Sequence, residues 1–171
     1  MIAFLDVDYR ERGAVAAAIL ANDWADPAPA AEVVSFIPEV AEYVPGEFYL
    51  RELPCLLAVL GRCPAVPDIV VVDGYVWLGP DRPGLGPRLH EVLGGRVPVV
   101  GVAKTRFHSA APVAVGLRRG GTRHPLWITA VGMDPLEAAR EIGFMGGPHR
   151  VPTLLRRVDR LARSAMPAES I

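Results

Sequence analysis

Three acidic residues sit where a fold would aim them at one point: Asp6 in FLDVDY, Glu52 in YVPGEFYLRE and Asp73 in IVVVDGY. Asp6 and Asp73 each follow a run of apolar and β-branched residues, the pattern of a buried strand that carries a carboxylate to the carboxyl edge of a sheet. That edge is where α/β proteins bind their ligands. A fourth group comes from VPVVGVAK, another apolar strand, which ends on Lys104. Lys104 is the only lysine among 18 Lys and Arg residues, so every other basic side chain is arginine. An arginine habit broken once points to a position that needs a compact ammonium charge. Together these groups suit phosphodiester hydrolysis, which requires a nucleophilic water, charge relief at phosphorus and a stabilised leaving oxyanion. One or two Mg²⁺ ions meet those needs when held by a few carboxylates, water and phosphate oxygens. Asp6, Glu52 and Asp73 are the candidate ligands, and Lys104 would offset charge on the pentacovalent phosphate or orient the attacking water.

Each acid taken alone also fits a plainer role as a helix cap or as the surface partner of an arginine. Two strand-end aspartates together fit it poorly. Asp8 shares the face of Asp6 by strand alternation, as an auxiliary ligand or a solvated acid. Tyr43, in EYVPGEFY, precedes a Pro-Gly turn. Its ring either lies across the edge of the core or projects from a rigid loop, where aromatic groups stack on bases or wedge strands apart. His90, His108, His124 and His149 have no metal-ligand spacing. They are expected to be ordinary loop and helix residues.

The elements needed to position these groups are legible. IAFLDVDY and AVAAAILA read as an antiparallel hairpin, and AEVVSFIPEV as a third strand. LRELPCLLAVLGR has helical spacing, with Pro54 expected near the first turn and Glu52 near the helix start. DIVVVDG and VPVVGVA are fully apolar strands joined through the short helix PRLHEVLGG, a β-α-β unit. PVAVGL and PLWITAV form another hairpin across the loop GGTRHP. Asp134 and Pro135 cap the helix LEAAREIG, and VPTLLRRVDRLARSA closes the chain as a helix with an arginine-rich outer face. Strands in the order β-β-β-α-β-α-β with trailing helices predict a mixed sheet sandwiched by helices, the ribonuclease-H-like plan. Residues 1–171 are expected to form one domain, long enough for a substantial core.

Composition adds bounds. The formal charge of −1 and pI near 6.4 give no overall basic excess of the kind that marks many nucleic-acid binders, yet arginines crowd the last third and suggest a one-sided basic face. Cys55 and Cys63 lie in an apolar helical stretch without metal or disulfide spacing and are expected to be buried reduced thiols. The chain opens directly on IAFLDV, without a charged-plus-apolar leader, so a cytoplasmic protein with no membrane contact is expected.

The strings IAFLDVDYRE, YVPGEFYLRE, PDIVVVDG, VPVVGVAK and PLWITAVG, in this order and at these separations, resemble the endonuclease V (deoxyribonuclease V) family of repair nucleases from Ile2 to about Arg156. The resemblance implies a ribonuclease-H-like fold, Mg²⁺ or Mn²⁺ as cofactor, and recognition of deoxyinosine, the deamination product of adenine. It further implies a nick at the second phosphodiester bond on the 3′ side, with some members acting on inosine in RNA. By matching position, Asp6, Glu52 and Asp73 would be the metal-binding catalytic acids and Lys104 the catalytic lysine. Tyr43, Val44 and Pro45 would form a strand-separating wedge, while Gly46 and Gly74 would let the backbone approach a flipped hypoxanthine base. Several positions depart from the family pattern. Glu42 stands where the wedge usually begins with proline, and Tyr75-Val76 replaces a histidine-glycine pair that a His-Pro-Arg segment follows. Met133 replaces a histidine after Gly132, and Pro152 to Arg156 replaces Pro-Glu-Pro-Thr-Arg. The metal acids and lysine are therefore more faithful to the family than the base-reading elements. The implied partner is inosine-containing DNA, or RNA, acted on by a monomer without a small-molecule cofactor. The alternatives are a nucleic-acid-binding homologue with weak or no catalysis and a nuclease of changed specificity.

Overall fold

The computed structural model describes residues 1–166. In chain order the elements are β1 (Ile2–Tyr9), β2 (Ala14–Ala21), β3 (Ala31–Ile37), α1 (Tyr49–Leu60), β4 (Ile69–Asp73), β5 (Trp77–Gly79), β6 (Arg82–Pro83) and α2 (Leu85–Val92). They continue with β7 (Val99–Ala103), a 3-10 turn (His108–Val113), β8 (Val115–Leu117), β9 (Leu126–Val131), α3 (Pro135–Phe144) and α4 (Thr153–Ser164). Seven strands form one mixed sheet in the order β3-β2-β1-β4-β7-β9-β8. β1, β4 and β7 run parallel at its centre, and each flanking strand pairs antiparallel with its neighbours.

Alternation along the strands makes two cores. Phe4, Ile19, Val71, Val100 and Ile128 meet α3 and α4 through Ile142, Leu154 and Val158. Leu5, Leu20, Val70, Val72 and Val99 meet α1 and α2 through Cys55, Leu56, Val59 and Leu89. β2, written AVAAAILA, is buried along its whole length because helices cover both of its faces. Its small side chains let both layers approach. The hairpin before it turns on Gly13, whose φ of +74° and position against the Ile37 carbonyl leave no room for a side chain.

The expected mixed sheet between helices is present, with local differences. β3 stops at Ile37, ahead of Pro38, which has no amide for the ladder. Pro54 falls in the interior of α1, past the first turn, so the Leu50 carbonyl loses its helical donor, and both residues are exposed. The tract WLGPDRPG makes the small β5–β6 hairpin, and residues 108–113 form a 3-10 turn that shortens β8. Asp134 caps α3 as expected, accepting from the Leu136 amide at 2.7 Å with Pro135 in the first turn. Cys55 is buried and Cys63 partly so, both as free thiols.

Two arginines fix the end of the chain. Arg119 donates to the carbonyls of Met145 (2.5 Å) and His149 (2.7 Å), holding the loop that leads into α4. Arg10 donates to the carbonyls of Ala162 (3.1 Å), Arg163 (3.1 Å) and Ala165 (2.7 Å), so the β1–β2 turn caps the carboxyl end of α4.

Candidate active site

Strand register brings the first two acids together. β1 and β4 pair in parallel up to Leu5 opposite Val72, so Asp6 and Asp73 are the next residues on neighbouring strands. Both share the parity of Phe4 and Val71 and face the layer of α4. β4 pairs with β7 through Asp73 and Val102, and Lys104 follows two residues later with the same parity. Lys104 Nζ donates to Asp73 Oδ2 at 2.5 Å, and both side chains are partly open to solvent. Glu52 arrives from the other layer, in the first turn of α1, where a carboxylate also suits the positive helix end.

These carboxyls perturb one another. Burial pushes Asp6 up to about 6, the charge of Asp73 adds to the shift, and the Val7 amide, donating at 2.9 Å, pulls against it. Burial pushes Glu52 up to about 8, helped by Asp6 and then Asp73. Beside Glu52, the buried hydroxyl of Tyr9 has no hydrogen-bond partner, while the Arg51 guanidinium stacks 4.0 Å from its ring centroid. Such a cluster is short of positive charge. Among the described residues no three His, Cys, Asp or Glu side chains form a ready-made metal cage. The donor set is nonetheless entirely carboxylate oxygen, which fits a hard cation such as Mg²⁺ that takes one or two protein carboxylates and completes its shell with water and phosphate.

A further acid belongs to this neighbourhood. Asp159 on α4 is close enough to raise Asp6, and it accepts from Arg163 at 3.0 Å. Its sequence signal was an acid within an arginine-rich helix, which reads equally as a solvated i,i+4 pair. Asp8, by contrast, accepts from Arg10 at 3.2 Å and so belongs to the latch on α4. Met133 requires a correction. β9 runs antiparallel to β7 with Val131 opposite Val99, so Gly132 and Met133 leave the sheet at the edge opposite Lys104. Gly132 backs onto the His90 ring there, and a histidine at position 133 would not reach the acids from that edge.

Next to the acids lies a largely apolar cavity of about 440 Å³, lined by Phe48, Tyr49, Leu78, Leu85 and Phe107 and bordered by Glu52 and Asp73. Gly46 and Gly74 line it with φ of +83° and +110°, and open space lies where a side chain would start at either. The turn after Asp73 is seated on Gly101, where a Cβ would lie 2.5 Å from the Gly74 carbonyl, and the Val76 amide donates to Thr129 Oγ1 at 3.0 Å. The Tyr75 hydroxyl donates to the Thr105 carbonyl (2.8 Å) and accepts from the Phe107 amide (3.0 Å), fixing the segment after Lys104. Tyr43 and Val44 project at 60% and 42% exposure from the loop before α1. The Tyr43 ring rests against Phe48 (6.5 Å between centroids), beside the cavity rather than across the core. Pro45 and Glu42 are exposed on the same loop.

A sequence model of the endonuclease V family matches residues 1–134. The endonuclease V of Streptomyces avermitilis is 33% identical over 183 aligned residues, covering 95% of this chain and 79% of its own. The crystal structure of the S. avermitilis endonuclease V superposes with a TM-score of 0.75 at 29% identity, covering 95% of this chain and 79% of that one. Endonuclease V from Ciona intestinalis, solved with a DNA 24-mer containing an inosine followed by a ribo-adenosine, has the same fold, with a TM-score of 0.73 at 16% identity, covering 95% of this chain and 84% of its own. The sheet and its two helical layers are thus of the ribonuclease-H-like kind. Sequence and architecture agree, and the chain belongs to the endonuclease V family of nucleases.

Proposed function

We propose that this protein is a divalent-metal-dependent endonuclease that hydrolyses the second phosphodiester bond 3′ to deoxyinosine in DNA, as a step in repair of deaminated adenine. The observation that carries this is the pairing of mutually repelling carboxyls, Asp6, Glu52 and Asp73, with an apolar cavity of about 440 Å³ at the same sheet edge. A bound Mg²⁺ or Mn²⁺, held by those three acids, would supply Lewis-acid activation of water and charge relief at phosphorus. Glu52, raised to about 8 by burial and then by Asp6 and Asp73, holds a proton near neutral pH, and it would have to give that proton up to hold a cation. Lys104 places an ammonium beside Asp73, where the phosphate would enter, and Asp159 adds a smaller upward push on Asp6 from α4, after burial and Asp73. The flipped base would enter the cavity past Gly46 and Gly74, whose missing side chains leave its mouth open. Tyr43, Val44 and Pro45 would hold the neighbouring strand apart. The inosine-bearing DNA in the Ciona relative supports the nucleic-acid partner.

A change of base preference within this same chemistry is the second reading, favoured by Tyr75, which occupies the cavity wall where the family carries histidine. Cleavage assays with Mg²⁺ or Mn²⁺ on inosine-containing DNA, unmodified DNA and inosine-containing RNA separate the two. Cleavage at the second bond 3′ to inosine, lost in Asp73→Asn, is the expected result. Equal cutting of unmodified DNA would overturn inosine specificity, and binding without cleavage on any substrate would overturn catalysis.

A further inference from the structure

A second groove opens at the same sheet edge, one strand further along. It encloses about 390 Å³ and is lined by Lys104, Thr105, Arg106, His124, Pro125, Trp127 and Arg150. Its position follows from topology. β9 runs antiparallel to β7 with Trp127 opposite Ala103, so the indole emerges beside the strand that delivers Lys104. Trp127 has opposite parity to the buried Leu126 and Ile128 and is only partly covered, resting against Gly116, where a Cβ would be 3.4 Å from the indole. The Arg106 guanidinium lies 5.4 Å from the centre of the ring. Arg106 and Thr105 also line the apolar cavity, and Lys104 pairs with Asp73, so the groove is continuous with both. Arg106 and Arg150 have no carboxylate partner among the described residues.

We infer that this groove binds the nucleotides immediately 3′ of the scissile phosphate, with Trp127 stacking on a base and Arg106 and Arg150 contacting the backbone. The inference rests on the function proposed above. With the lesion base in the cavity and the scissile phosphate at Asp73 and Lys104, a strand continuing across the sheet edge from β4 past β7 reaches β9. A planar indole flanked by guanidinium groups suits single-stranded nucleic acid, because every base offers a face to stack and every linkage an anion.

The test uses the full chain with a chelator present, so that nothing is cut, and inosine-containing single strands sharing one 5′ arm. One strand ends before the scissile bond, and the other continues several nucleotides beyond it. Trp24 packs against Phe4 and Trp77 donates to the Ala130 carbonyl, both away from the groove, so Trp127→Phe identifies the Trp127 share of the fluorescence. The extended strand is expected to quench Trp127 and bind roughly tenfold more tightly than the short one, the scale of one stacked base. Trp127→Ala or Arg150→Ala should erase that gain, and Trp127→Phe should keep it. The arginine variant serves if the tryptophan change unfolds the chain. A gain that survives both substitutions, or strand binding by anisotropy without quenching, overturns the groove. If an adenine-containing extended strand behaves identically, the groove stands and inosine recognition falls. If no strand binds, the groove falls, while the function proposed above is judged by the cleavage assays with metal.

Discussion

Glu52 gives the sharpest quantitative expectation. Its carboxyl rises from 4.5 to about 8, first through burial and then through Asp6 and Asp73. A raised carboxyl binds its proton more tightly in the folded state. Its stabilising contribution is therefore complete below the unfolded value and is lost as pH rises through the folded one. The window runs from about 4.5 to about 8. At roughly 1.4 kcal/mol per pH unit, a carboxyl titrating alone would lose about 5 kcal/mol across it. Asp6 shares the repulsion and adjacent water relaxes, so about 2–3 kcal/mol is expected from removing the charge. Glu52→Gln should therefore stabilise the metal-free protein by that amount near about pH 9 and by under about 1 kcal/mol near about pH 5. Urea unfolding in chelator at the two pH values, with the m-value checked for constancy, measures both. Mn²⁺ should restore stability to the parent protein at the higher pH, by about 2.7 kcal/mol at a hundredfold excess over Kd, and should do much less for the variant. Identical pH dependence in parent and variant would refute the coupling among these acids.

Asp159→Asn removes a charge that raises Asp6, so the acidic limb of the pH–rate profile should move to lower pH, and an unmoved limb would separate α4 from the chemistry. Met133→His should cost about 1 kcal/mol of stability, because Met133 packs partly buried against the α3–α4 core, yet leave the cleavage rate within about twofold, because position 133 lies at the far edge of the sheet. Gly74→Ala places a side chain at φ +110°, at a cost of about 1–3 kcal/mol in denaturant unfolding, and should weaken binding of inosine strands more than of unmodified ones.

The sheet was legible because each strand declared itself locally. IVVVD and VVGVA are apolar runs bounded by Pro and Gly, and AVAAAILA has no polar residue to offer solvent on either face. Asp6, Asp73 and Lys104 were legible as polar residues that end or follow apolar strand runs, a local signal that needs no tertiary information. Glu52 was legible only as an acid at a helix start. Its meeting with Asp6 depends on how α1 lies across the sheet, which spacing does not encode. Asp159 was missed because the i,i+4 pair with Arg163 is the common surface pattern, and only docking of α4 beside β1 gives it another role. Met133 misled for the complementary reason: position along the chain was matched to a motif, while strand direction decides which rim of the sheet that position occupies.

The Arg10 latch has a consequence for biosynthesis. Asp6, Glu52, Asp73 and Lys104 all lie within residues 6–104, whereas Asp159 sits on the last of the described elements, whose final carbonyls the β1–β2 turn grips. The first and last of the described elements must meet before Asp6 gains its α4 neighbour. A nascent chain that stalls before α4 would carry four of these five polar groups yet lack the helix that completes their surroundings, which ties the finished setting of Asp6 to the synthesis of α4.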